Sequence, residues 1–195
     1  MAPVVEALRQ SSATTSIVCV TGQHREMLDQ VLQLFGIKPD HDLGLMTRDQ
    51  TLNGLAGRAF LAIDAMLDTV HPDRVLVHGD TTTAMAAALA AFHRRIPVGH
   101  VEAGLRTYDL TQPWPEEMNR RIVDLASDLL LAPTADSKAN LAGERLAGRI
   151  VVTGNTVIDA LEATVARIDG DAVLRGRLDQ QFAHLSTDRR LLLVR

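Results

Sequence analysis

The sequence predicts an α/β protein built on a mostly parallel sheet with helices packed around it. Three observations carry this. Short apolar runs recur at Val75–His78, Pro97–Glu102, Asp128–Ala132 and Arg149–Thr153, each the length of a buried strand. Segments with helical spacing alternate with them; in Thr51–Val70, Leu55, Ala59, Ile63, Met66 and Val70 share one face. The links between are short and carry turn residues, as a doubly wound, Rossmann-like sheet needs.

Taken in order, Met1–Gln10 has Val4, Val5 and Leu8 at helical spacing. Ile17–Val20 reads as a strand ending at Thr21-Gly22, and Gln23–Phe35 as a helix closed by Gly36. Pro39–Met46 is a loop or a short extended piece. After the long helix to Val70, Pro72-Asp73 turns the chain into the strand Val75–His78. Thr81 or a neighbour caps an Ala-rich helix that ends at Arg94-Arg95, cations suited to a helix C-terminus. The strand Pro97–Glu102 and the loop Gly104–Gln112 lead to a helix over Glu116–Ser127, with Pro115 in its first turn. A strand to Ala132, a helix Ser137–Leu146, a strand Arg149–Thr153, a helix Val157–Ile168 and a helix within Gly170–Leu185 follow. Leu191–Val194 then opens another strand. A helix without a feeding strand at one end, and a lone strand at the other, make the chain read as a piece of a longer protein.

Composition narrows the function. The 195 residues carry a net charge of −4 without a basic run, which argues against a nucleic-acid groove. The longest apolar run, Ala84–Phe92, is too short to span a bilayer, and the first ten residues lack the pattern of a signal peptide. Cys19 sits inside an apolar strand pattern as a small core side chain. A cytoplasmic protein is expected.

Residues i and i+2 of a strand face the same side. His78 and Asp80 therefore end one strand together, and His100 and Glu102 the next. If the strands are parallel, both pairs lie at the carboxyl edge, where open α/β sheets bind ligands. Each acid has a plainer role open to it. Asp80 suits a helix N-cap. Glu102 suits an ion pair with Arg106, four residues on, or an acid/base role. Glu116 and Glu117 suit a helix dipole after Pro-Trp-Pro, or a rigidly held catalytic acid. The two His-acid steps offer metal-ligand types but no closed ligand set, so no metal is expected. Gly22–Arg25 and Gly154–Thr156 are strand-to-helix turns whose N–H groups can meet a phosphate, without a specific nucleotide signature.

The motifs VLVHGDTTT, PVGHVEAGLRT, PWPEEMNRR and VTGNTVIDAL, with TGQHREMLDQVLQLFGI upstream, closely resemble the non-hydrolysing UDP-N-acetylglucosamine 2-epimerases. The resemblance implies the N-terminal half of a two-domain GT-B fold. Residues 1–168 would form the Rossmann-like domain without its first strand, 169–188 a connecting helix and turn, and 189–195 the first strand of a second domain. It implies inversion at sugar C2 of UDP-N-acetylglucosamine by elimination and re-addition of UDP, with no cofactor. The acidic residues of the family fall on Asp80, Glu102 and Glu116 as catalytic groups, with His78, Arg106 and Asn155 toward the substrate. Gln23 and His24 match part of an activator site. A homodimer is implied for the full-length protein. The phosphate-binding Gly-Thr-Arg-Pro-Glu turn and the His-Arg-Arg-Glu motif of the family are absent here, so the 195-residue chain is expected to be inactive alone, with strand edges left open. A hydrolysing 2-epimerase, a GT-B glycosyltransferase-like domain and a non-enzymatic fragment are the alternatives.

Overall fold

The computed structural model describes residues 1–22, 25–186, 189, 190 and 192. The chain divides into two compact units, Met1–Thr156 and Val157–Arg195. The first begins with helix α1 (Ala2–Gln10), strand β1 (Cys19–Val20), helix α2 (Arg25–Leu34) and strand β2 (His41–Asp42). Helix α3 (Leu52–Val70), strand β3 (Val75–His78), helix α4 (Thr82–His93) and strand β4 (Val98–Val101) follow. Helix α5 (Glu116–Ala126), strand β5 (Leu129–Ala132), helix α6 (Ala135–Gly143) and strand β6 (Arg149–Val152) complete it. Helix α7 (Thr156–Gly170) begins at the boundary and helix α8 (Ala172–Gln181) lies in the second unit; neither has a buried residue. Asp171 caps α8, its Oδ1 accepting from the N–H groups of Val173 and Leu174. The expected domain limit at 168 falls inside α7. The strand read at Leu191–Val194 lies, save Leu192, outside the described residues.

Every strand pair is parallel. β1 pairs with β2, and β3-β4-β5-β6 form a second sheet in sequence order. Among the described residues the two sheets share no ladder, so β1 and β3 each keep one edge without a strand partner. The extended stretch expected from Ile17 shortens to Cys19–Val20. Cys19 is half-buried, and burial, then the charge of Asp42, pushes its thiol up to about 11.

Register decides which side chains meet. Val77 pairs with His100, His100 with Leu130, and Leu130 with Ile150, so these four share one face. Helices α4, α5 and α6 cover that face, as right-handed crossovers between sequential strands require. Val77 and Val98 pack with Leu55, Ile63 and Leu67 of α3, the alanines of α4, and Val123 of α5. Leu130 and Ala132 pack with Leu141 of α6. The opposite face, with Leu76, Leu129 and Leu131, is half-buried. Helix α4 buries Ala84, Ala86, Ala88, Ala90 and Ala91, small side chains that let α3 and α5 flank it closely. Arg94 at its C-cap holds Asp64 and Asp68 of α3, the latter at 2.6 Å.

The cap expected at Thr81 forms, its hydroxyl accepting from the Ala84 N–H, and Thr51 likewise caps α3 by accepting from the Gly54 N–H. Thr134 caps α6 in the same way, so the helix begins at Ala135, two residues upstream of the expected start. Gly104 has φ 87°, and a Cβ there would lie 2.4 Å from the Ser137 carbonyl oxygen; only glycine lets the chain leaving β4 pass under α6.

Candidate active site at the carboxyl edge of β3 and β4

Both strands end in a left-handed residue. Gly79 follows β3 at φ 70°, and Glu102 follows β4 at φ 72°. A glutamate in that region is strained by of order 1 kcal/mol or more, a cost tolerated mainly at functional positions. These two residues overturn the simple alternation. His78 pairs with Val101 and His100 with Val77, so the histidines lie on opposite faces of the sheet. The left-handed steps then redirect the acids. Glu102 Oε2 comes within 3.6 Å of His78 Nε2, not of His100. A Cβ on Gly79 would lie 3.7 Å from the same oxygen, which places the Gly79-Asp80 peptide beside Glu102.

Asp80 is not the helix cap, because Thr81 takes that role. Its carboxylate pairs instead with Arg120 of α5, and its carbonyl oxygen accepts from Asn119 Nδ2 at 2.9 Å. The side chains of Asp80 and Glu102 each keep 27% exposure, enough to touch a ligand. Asn155, in the turn after β6, donates to Glu102 Oε1 at 3.3 Å. The structure thus gathers Asp80, Glu102, His78 and Asn155 at one edge, and Arg120 ties Asp80 to the helix that carries Glu116.

Glu116 and Glu117 part company in the first turn of α5, which follows two cis X-Pro bonds at Pro113 and Pro115. Glu117 is fully buried and accepts the N–H groups of Thr107 and Tyr108, both at 3.1 Å, so it fastens the loop after β4. Among the described residues, Glu116 Oε2 is buried without a hydrogen-bond partner, as is Arg120 Nε. A buried carboxylate oxygen left unsatisfied is costly.

The expected Glu102–Arg106 pair does not form. The Arg106 side chain is fully buried; it binds Glu144 through Nε and Nη2 at 2.7 and 2.8 Å, and Asp124 through Nη1 at 2.8 Å. Burial alone would lower its pKa, but the Glu144 and Asp124 contacts outweigh burial and raise it. Glu144, from the end of α6, is a better partner because it meets the guanidinium with both oxygens. Arg106 therefore buttresses the loop rather than facing the edge. Asp124 also meets His100 Nδ1 at 2.6 Å. His100 Nε2 lies 2.9 Å from the Gly79 carbonyl oxygen, so both ring nitrogens of His100 face protein acceptors. Gln23 and His24 lie outside the described residues.

Sequence reasoning missed Arg120, Asn119 and Asp124. Their signal lies in EEMNRRIVDLA, where helical spacing puts Glu117, Asn119, Arg120 and Asp124 on the face that must be buried. A polar core-facing stripe is a sign of a buried network.

Burial, then the positive amino terminus and His100, lowers the His78 pKa from 6.5 to about 4. His78 is thus a neutral imidazole beside Glu102 at neutral pH. The unfolded chain protonates it near 6.5 and the folded one near 4, so unfolding takes up a proton between these values. Stability is fully present above pH 6.5 and falls as the pH drops toward 4. The shift corresponds to roughly 3 kcal/mol, reduced to roughly 1–2 because a third of the side chain is exposed. The unfolding free energy from urea titrations should fall by that amount across this window, and His78→Asn should flatten its pH dependence; an unchanged pH dependence in the variant would refute it.

With this geometry in view, the comparisons with known proteins are direct. The family model for UDP-N-acetylglucosamine 2-epimerase matches residues 6–194. The chain belongs to the UDP-N-acetylglucosamine 2-epimerase family. The UDP-N-acetylglucosamine 2-epimerase of Neisseria meningitidis serogroup A is 47% identical over all 195 residues, which cover 52% of that protein. The crystal structure of the epimerase from Neisseria meningitidis bound to UDP-GlcNAc superposes with a TM-score of 0.89 at 48% identity, over 96% of this chain and 51% of that one. The Methanocaldococcus jannaschii enzyme in complex with UDP-GlcNAc and UDP gives 0.82 at 31% identity, over 92% and 49%. The chain spans about half the length of the curated relatives it matches. The parallel α/β architecture expected for one half of a GT-B enzyme is the one observed.

Proposed function

We propose that this epimerase-family chain supplies the acid-bearing wall of a UDP-N-acetylglucosamine 2-epimerase. The observation that carries the reading is the placement of Asp80 and Glu102, each 27% exposed, at the carboxyl edge of β3 and β4. It occurs in a fold that superposes on a relative bound to UDP-GlcNAc. In the forward step a carboxylate removes the C2 proton, the C1–O bond breaks, and UDP leaves with the electron pair to give the 2-acetamidoglucal. Return of UDP to C1 and of a proton to the other face of C2 gives UDP-N-acetylmannosamine. Electrons balance without a redox cofactor. Two faces and two proton transfers call for more than one acid, and Asp80, Glu102 and Glu116 are the candidates. His78 and Asn155 orient Glu102 and the sugar.

The whole protein, in this reading, is a cytoplasmic homodimer whose product feeds cell-surface polysaccharide. Support for a second copy comes from the outer face of α5, where Met118 and Leu125 are 53% and 73% exposed. No helix among the described residues is long and apolar enough to cross a membrane.

The test is a chimera in which this chain replaces the matched segment of the Neisseria meningitidis enzyme. It should convert UDP-N-acetylglucosamine to UDP-N-acetylmannosamine in deuterium oxide with deuterium at C2. Release of free N-acetylmannosamine, or product without deuterium at C2, would overturn the reading.

A further inference from the structure

His100 is wholly buried in β4 and plays no part in the reaction as drawn above. Its two ring nitrogens face two acceptors. Nε2 lies 2.9 Å from the Gly79 carbonyl oxygen, and Nδ1 lies 2.6 Å from Asp124 Oδ1. A carbonyl oxygen only accepts, so Nε2 carries a hydrogen. Asp124 Oδ2 already takes the Arg106 guanidinium at 2.8 Å and the Gly104 N–H at 3.3 Å. Those two donors favour the ionised carboxylate, whose Oδ1 then accepts from Nδ1. Arg106 also has Glu144 as a two-oxygen partner, so Asp124 is not its sole counter-charge. The titratable and charged groups facing this cluster come from each packed element: His78 from β3, Arg106 from the loop after β4, Asp124 and Arg121 from α5, and Glu144 from the end of α6.

We propose that His100 is a buried imidazolium and a positioning residue: its Nε2–H pins the Gly79 carbonyl, and so fixes the left-handed turn that aims Asp80 at the carboxyl edge. Asn119 holds the next carbonyl, that of Asp80, and Arg120 its carboxylate, so three donors set one acid. The positive ring also lies among the charges that keep His78 neutral. The positioning half of the proposal rests on Asp80 acting in epimerisation; the protonation half does not.

Two measurements separate them. In the 195-residue chain near pH 8, above the ordinary histidine value of about 6.5, nitrogen-15 NMR should show a bonded proton on both His100 nitrogens. An unprotonated Nδ1 would overturn the imidazolium, whatever the chain catalyses. In the chimera, His100→Gln keeps a donor for the Gly79 carbonyl, whereas His100→Asn reaches only Asp124. His100→Asn should lower kcat on the order of a hundred-fold with KM little changed, and His100→Gln on the order of ten-fold. Equal losses in the two variants would overturn positioning through Gly79. An inactive parent chimera would overturn the epimerase reading and the positioning role with it, and would leave the NMR result standing.

Discussion

Replacing Asp124 by alanine is expected to destabilise the chain by about 3–5 kcal/mol, the cost of removing one partner from a buried charge pair. Asp124 is wholly buried and is the meeting point of three donors: the His100 ring, the Arg106 guanidinium and the Gly104 N–H. Its removal strands the His100 ring without a partner for Nδ1 and leaves Arg106 with Glu144 and the Leu105 carbonyl oxygen. A domain of this size has roughly 5–15 kcal/mol in hand, so the variant should sit near the limit of folding. Urea titration should show a lower midpoint with the slope retained. Asp29→Ala serves as the control, because Asp29 meets Arg25 with both side chains 54% exposed, and such pairs contribute roughly 0–1 kcal/mol. A loss below about 1 kcal/mol at Asp124 would show that the buried network is ornamental to stability.

The second large effect falls on catalysis. In the chimera, Asp80→Asn, Glu102→Gln and Glu116→Gln should each lower kcat by about 10²–10⁴, the usual contribution of a positioned acid or base. Each change is nearly isosteric, so unfolding midpoints should move little. Glu117→Gln, one residue from Glu116, should do the reverse. Its carboxylate holds the Thr107 and Tyr108 N–H groups and has no exposure, so its loss reads out in stability first. If Glu116→Gln and Glu117→Gln behave alike, the division of labour within this helical turn is wrong.

Much of the fold was legible because its signals are local. Thr81 announces the helix it caps, and the runs at Val75, Pro97, Leu129 and Arg149 are strands of the expected type. The acids at the strand ends were legible for the same reason. Their partners were not, because partners depend on register and on backbone sign. Nothing in His78-x-Asp80 and His100-x-Glu102 shows that the strands pair one residue out of step, which sends the histidines to opposite faces. Nor does a glutamate declare that it will take φ 72°. Arg106 looked like the partner of Glu102 because the two are four residues apart, a spacing that brings side chains together only within a helix. In the loop after β4 it reached Glu144, 38 residues away. Arg120 and Asp124 were in view as helix residues, but only the packing of α5 on β4 turned them into a network.

The left-handed turn at Glu102 sets selection for stability against selection for activity. Glycine takes that conformation freely, and by the usual scale would favour the folded state there by about 1 kcal/mol. A population of variants sorted only for folding should therefore drift toward glycine at position 102 and toward compact, inert proteins. One sorted for turnover should keep the strained carboxylate and accumulate its compensations elsewhere, in the alanine layer of α4 and the charges beneath α5.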